Sequence, residues 1–241
     1  MEEGNLLTRS RKKGSSSSKE VDHGNYVSTP VHVPTGPAAR VIIIDGCRSQ
    51  EEYSFVVGEG EKLEETFVVL PGVSAKIPVT VDLVGPGAEA DLKGIYISEG
   101  SDEVTFDITM HHRVEGCTSH QLFNGLASGQ SKCAFFGKII VAPDAQKTEA
   151  YQENHNIVLS EEARVHTKPR LEIYADDVKC SHGATVGKLN EDEQFYMRSR
   201  GIPEDEAKVL QMISFVAPVL EGLEDEALAS TIESAIRSLA K

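Results

Sequence analysis

From Tyr26 to about Val186 the chain is a succession of short apolar or alternating runs: VIIID, YSFVV, TFVVL, IPVTVDLV, GIYIS, VTFDITM, AFFGKIIV, HNIVL and RLEIYA. Gly, Pro or Asp breaks the chain between them, and no apolar set in the block recurs with a sustained helical period. Short runs bounded by such breakers are strands, and a chain with this texture must fold mainly as β-structure. The stretches Val79–Val84 and Val104–Met110 alternate strictly, which suits strands with one face buried.

A weak internal repeat runs through the block. GAEADLKGIYIS (87 to 98), GCTSHQLFNGLAS (116 to 128), DAQKTEAYQENHNIVLS (144 to 160) and EARVHTKPRLEIYA (162 to 175) each join a small or polar step to an aliphatic run. Steps at roughly 15 to 30 residues lie in the range of stacked repeat architectures. That spacing favours a parallel β-helix over a sandwich, with a jelly roll as the alternative.

After Gly187 the pattern becomes helical. Asn190 with Glu193 three residues on is a capping pair for a helix over 191–200, and Arg198 and Arg200 suit its C-terminal end before Gly201. Pro203 followed by Glu204, Asp205 and Glu206 starts a second helix, expected to reach about Val216 because Pro218 penalises continuation. A third begins near Glu224, with Leu228, Ile232, Ile236 and Leu239 on one face. Residues 1–24 are polar, contain Ser15 to Ser18 in a row, and are too poor in apolar residues to offset the entropy of ordering. The expected division is therefore a disordered tail over 1–24, a β core over 25–187 and a C-terminal helical domain over 188–241.

Charge and cysteine content narrow the function classes. With a formal charge of -14 over 241 residues, the chain is not built to bind nucleic acid or an anionic membrane. No apolar run approaches the roughly 18 residues of a membrane span, and the N-terminus lacks a hydrophobic signal core, so a cytoplasmic protein is expected. Cys47, Cys117, Cys133 and Cys180 are widely separated and form no CxxC pair, which suits reduced thiols rather than a closed zinc site.

Three constellations could carry chemistry. Gly125 to Lys132, GLASGQSK, is the nearest approach to a phosphate loop, but it misses the required spacing and reads as a polar turn between strands; no ATP is expected to bind this chain. His111 and His112, with Glu115 and His120, could supply the ligands of a cupin-type metal enzyme, although adjacent strand residues face opposite ways and only one of the pair can look inward. His155 and His166 carry the same ambiguity between ligand and ordinary strand histidine. Cys180 and His182, in ADDVKCSHGATVG, stand at i and i+2 and so share one strand face, placing a thiol beside an imidazole. Such a pair suits iron or zinc, yet it is only half a site, and a packed cysteine beside a hydrogen-bonded histidine gives the same spacing.

The run AQKTEAYQENHNIVLSEEARVHTKPRLEIYADDVKCSHGATVGKLNEDEQFYMRSRGI, residues 145 to 202, resembles the core of the SufB/SufD family of iron-sulfur cluster assembly proteins. His166-Thr167-Lys168-Pro169 and Glu172 to Gly187 are similar to its SufD branch. The likeness extends more loosely upstream to about Pro78 and downstream through the helices. It implies a right-handed parallel β-helix with a small helical domain, acting as a non-enzymatic scaffold. The implied partners are a SufB-like subunit (or a second copy) through the β-helix and the ATPase SufC through the C-terminal helices, with ATP chemistry left to that ATPase. It further implies a transient cluster at the SufB–SufD interface, His182 standing in the position of the SufD histidine there and Cys180 beside it. The SufB cysteine has no counterpart, since Asn154-His155-Asn156 occupies its region. One departure is that SufD proteins usually carry a helical domain ahead of the β-helix, while only about 75 residues precede the start of the likeness, as in a shortened homologue or a fragment.

Overall fold

The computed structural model describes residues 31–32, 40–44, 52–223 and 225–240. The polar tail, Cys47 and Glu224 lie outside these residues. Two parallel sheets of six strands each make up the β core. One contains β1 (Val31–His32), β3 (Tyr53–Val57), β5 (Ala75–Leu83), β7 (Glu103–His112), β9 (Lys132–Val141) and β11 (Arg164–Ile173), in that spatial order. The other contains β2 (Arg40–Ile44), β4 (Lys62–Val69), β6 (Glu89–Ser98), β8 (Thr118–Ala127), β10 (Glu149–Val158) and β12 (Lys179–Gly187). Odd and even strands alternate along the chain, so each turn contributes one strand to each sheet and the whole is a parallel β-solenoid of about five turns. The jelly roll is excluded because every pairing between the strands is parallel.

The register explains the irregular repeat. Glu103 lies opposite Lys132, Gln121 opposite Gln152 and Glu149 opposite Lys179, steps of 29, 31 and 30 residues. One coil thus holds two strand-and-turn units, and the shorter intervals visible in sequence are half-coils. Turns are tightened by glycines such as Gly129, whose φ of 64° falls in the left-handed region. The stretch Gly125 to Lys132 is split between the end of β8, such a turn, and the first residue of β9.

Inward residues of the two sheets interdigitate across the core. Tyr53, Phe67, Phe106, Phe123 and Phe135 form a continuous aromatic column, with ring centroids 5.1 to 5.9 Å apart. Each ring pair adds about 0.5–1.5 kcal/mol beyond its area. Room for large neighbours comes from interior glycines. A Cβ on Gly125 would lie 2.1 Å from the Tyr96 ring and 2.5 Å from Asn156 Oδ1. Its absence lets the Tyr96 hydroxyl reach across a coil and donate to Asn156 Oδ1.

Three helices follow the solenoid: α1 (Glu191–Ser199), α2 (Glu204–Leu220) and α3 (Glu226–Leu239). Asn190 caps α1 by accepting from the amides of Asp192 and Glu193 at 2.9 and 3.2 Å, as its spacing from Glu193 predicts. The expected stop of α2 at Val216 is corrected, since the helix continues through Pro218 to Leu220. Pro218 stands in the last turn, where it forfeits a single backbone bond, and Val219 beyond it is fully buried in the interface with the sheet. In that interface Val209, Met212, Val216, Leu228, Ile232 and Ile236 form one cluster with Val68, Ile95, Ile97 and Leu126 on the outer face of the even sheet. The cluster explains why TFVVL and GIYIS lose strict alternation: both faces of those strands are covered there.

At the first described coils the even sheet buries a carboxylate. Glu65 is 2 % exposed and pairs with Arg40 Nε at 2.9 Å. Burial raises its pKa to about 7 against the pull of the guanidinium. The folded value lies above the unfolded one, so Glu65 is most favourable to the fold at acid pH and that contribution is lost as pH rises through 7. A shift of this size is worth up to about 3 kcal/mol. Glu65→Gln is expected to gain on the parent in urea unfolding between pH 5 and pH 8, and a stability difference that is flat with pH would contradict this. Gly125→Ala is expected to cost about 3 kcal/mol or more, through overpacking against Tyr96 and loss of a buried hydrogen bond. An unfolding midpoint equal to that of the parent would contradict that packing.

Candidate functional site

The last coil carries Cys180 and His182. β12 pairs with β10 alone in its sheet, and β11 with β9 alone in the other. Cys180, His182, Ala184 and Val186 stand opposite Ala150, Gln152, Asn154 and Asn156, all four of which are buried inside the solenoid. Cys180 and His182 therefore occupy inward positions of a coil that no further coil covers among the described residues. Ser181 between them pairs with Tyr151 on the outer face. Cys180 is half-buried against the core, and burial pushes its thiol up, partly opposed by the Ala150 amide. His182 is exposed. The shared strand face expected from their spacing is thus present, at an open end of the solenoid.

Beneath this mouth the interior turns polar. Gln152 Nε2 donates to Gln121 Oε1 at 2.8 Å, one coil further in. Asn154 Nδ2 donates to the Tyr96 hydroxyl at 3.1 Å and to the Phe123 carbonyl at 3.0 Å, while Asn156 Nδ2 donates to Asn154 Oδ1 at 2.8 Å. Burial pushes the Tyr96 phenol up, so it remains a neutral donor. Gln121, Gln152 and Tyr96 were not singled out from the sequence. Their signal is the step of about one coil from Gln121 to Gln152 to His182, legible only once the coil length is known.

The other histidines are dispersed. His112 is fully buried, shares a 2.9 Å hydrogen bond with Ser119 Oγ, and is lowered to about 4, mainly by burial. His111 lies on the opposite face of β7, lowered by partial burial and then by Arg113. His120 stacks on Tyr151 with ring centroids 5.1 Å apart, and His166 packs against Phe136 at 5.6 Å. His155 is on the outer face with Nδ1 2.9 Å from Thr185 Oγ1 and Nε2 3.4 Å from Glu153. Among the described residues no three His, Cys, Asp or Glu side chains are grouped to hold a metal ion. With a parallel solenoid in place of an antiparallel barrel, the cupin alternative is not favoured.

A second feature lies on the helices. α1, α2 and the end of β10 enclose an open groove of about 690 Å³ lined by Ile157, Leu189, Tyr196, Met197, Leu210 and Phe215. Polar and charged side chains, Lys188, Asn190, Asp192, Glu193, Gln211 and Ser214, complete its lining. On α1, Phe195 is 73 % exposed and Tyr196 59 % exposed.

Residues 30–215 match the family model described as SUF system FeS cluster assembly, SufBD core domain. The chain belongs to the SufB/SufD family. It is similar to the iron-sulfur cluster assembly protein SufD of Escherichia coli, 43% identical over 123 residues that make up 51% of this chain and 29% of that protein. It is 32% identical over 162 residues to SufD of Bacillus subtilis, covering 67% of this chain and 37% of that one. It is also 31% identical over 194 residues to the chloroplastic protein ABCI7 of Arabidopsis thaliana, covering 78% and 40%. The chain thus spans well under half the length of these relatives. Within the family it is SufD-like, and its connection to iron-sulfur cluster assembly follows from membership. No helix among the described residues is long and apolar enough to cross a membrane.

The burial differences make the thiols distinguishable. Cys117 and Cys133 are buried, and burial lifts Cys133 to about 11. Of these two and Cys180, only Cys180 is expected to react with a brief pulse of maleimide in the folded chain, at a rate still climbing at pH 9 because its thiol is raised. Peptide mapping by mass spectrometry checks this, and modification of Cys117 or Cys133 ahead of Cys180 would contradict it.

Proposed function

We propose that this chain is a SufD-like scaffold subunit of an iron-sulfur cluster assembly complex, and that it presents His182, with Cys180 beside it, to a cluster built as cargo. The observation that carries the reading is the position of both residues on inward sites of an uncovered last coil, in a chain of the SufB/SufD family. One imidazole and one thiol cannot complete an iron site, since cluster iron is held by several thiolate or imidazole ligands in addition to its sulfides. A SufB-like subunit, or a second copy of the chain, docked on the terminal coil supplies the rest, including a thiolate that this chain lacks at Asn154 to Asn156.

The division of ligands between two chains has a mechanical use. A site shared across an interface opens or closes when the two subunits shift, and such a shift can be driven by a partner that binds the two states unequally. We assign that drive to a SufC-like ATPase seated on the C-terminal helices. The groove lined by Tyr196, Leu210 and Phe215, together with the exposed Phe195 on helix α1, supports this assignment. On this reading the chain itself catalyses nothing, binds no ATP, holds the cluster only in passing, and works in the cytoplasm, where thiols stay reduced.

Reconstitution with SufB-like and SufC-like partners tests the assignment. His182→Ala is expected to reduce cluster yield about tenfold or more while the complex still co-purifies. Cys180→Ser is expected to have a smaller effect. Normal cluster yield from the His182→Ala complex would sink the site assignment.

A further inference from the structure

Inside the solenoid, one row of the even sheet passes from Gln121 through Gln152 to His182, each directly opposite the next in the parallel register. The first rung is made, with Gln152 Nε2 donating to Gln121 Oε1 at 2.8 Å. That bond sets the Gln152 amide in this arrangement and leaves Gln121 Nε2 equally unpartnered. The Gln152 nitrogen points back along the row, and its Oε1 is left buried without a hydrogen-bond partner within the protein. Gln152 is 0 % exposed. The amide is seated against Gly137 of the facing sheet, where a Cβ would lie 2.4 Å from Nε2 and 2.5 Å from Oε1, so the glycine makes the space that the amide fills.

A buried carbonyl oxygen with no donor is costly, about 1–3 kcal/mol, and such atoms call for an explanation. The inward position one rung onward belongs to His182, and neighbouring strands lie about 4.8 Å apart, the same step that the Gln121–Gln152 bond already spans. We infer that Gln152 is a positioning residue for His182: when the exposed imidazole, which makes no hydrogen bond to it in this structure, turns inward, Gln152 Oε1 accepts the N–H of one ring nitrogen and leaves the lone pair of the other toward the open mouth. A metal-ligating histidine ordinarily donates its second nitrogen in this way, which fixes tautomer and ring orientation. The inference rests on the reading of His182 as a cluster ligand, but it is tested on the free chain.

The measurement is the tautomer of His182 in the full chain, read from ¹⁵N shifts of its ring nitrogens at pH 8, with the resonance assigned by its loss in His182→Ala. In the parent chain one tautomer is expected to prevail. Gln152→Met keeps the shape, removes the acceptor, and is expected to return His182 to a mixture of tautomers. Gln152→Glu keeps an acceptor oxygen, and Gln121, whose Nε2 is buried without a partner, can turn its amide to donate to the new carboxylate; the single tautomer is expected to persist. Thr167→Val, which removes another partnerless buried hydroxyl on the inward face of β11, is expected to leave it unchanged. If the methionine variant does not fold, Gln121→Met, which frees the Gln152 amide from behind, is read in the same way. A tautomer ratio in either folded methionine variant equal to that of the parent overturns the inference. An unchanged ratio together with loss of cluster yield in His182→Ala leaves the proposed function standing. A changed ratio with normal yield from that variant does the reverse.

Discussion

Everything in this molecule depends on the in-register parallel pairing of successive coils. Because a residue meets its counterpart about one coil away, the interior is a set of rows, each of which repeats or changes its chemistry coil by coil. One outcome is the aromatic column from Tyr53 to Phe135, whose rings come alternately from the two sheets and so tie facing rows together. The row ending at His182 shows another, in which Leu92 gives way to Gln121, then Gln152, then imidazole. A row of this kind carries a polar group to the end of the solenoid without a break in the hydrogen-bonded backbone around it.

The β-rich core and the C-terminal helices were legible because they rest on local periodicity. Alternation in Val104 to Met110 and the Asn190–Glu193 capping pair each reflect forces acting within a few residues. The length of α2 was not, because its last turn is decided by the burial of Val219 against a sheet more than fifty positions upstream, which outweighs the local penalty of Pro218. The coil length was blurred for a similar reason. Each coil contains two strands with separate turns, and sequence shows the half-coil steps as readily as the full ones.

The site was legible to a different depth for each residue. Spacing alone places Cys180 and His182 on one face, and the same rule separates His111 from His112, which the structure puts on opposite faces. Nothing local marks Gln152. A buried glutamine matters through the residues it meets across coils, and its nearest partners, Gln121 and Gly137, are distant in sequence. Family resemblance singled out His182, while the register was needed to show what stands beneath it.

The uncovered coil carries an energetic tension. Among the described residues, inward positions of β12 lack the covering rung that buries Ala150 and Asn154 one coil back, and the edges of β11 and β12 are left without a further strand. A fold built only for stability would close such an end with a helix or a bulge. Here the three helices pack instead on the side of the even sheet, against Val68, Ile95, Ile97 and Leu126, and leave the mouth at His182 open. The proposed partner, a second solenoid, would dock on this open coil. On that proposal, pairing there would complete the sheets and the ligand set in one step, so that a site with too few ligands in the free chain would become whole only in the assembly.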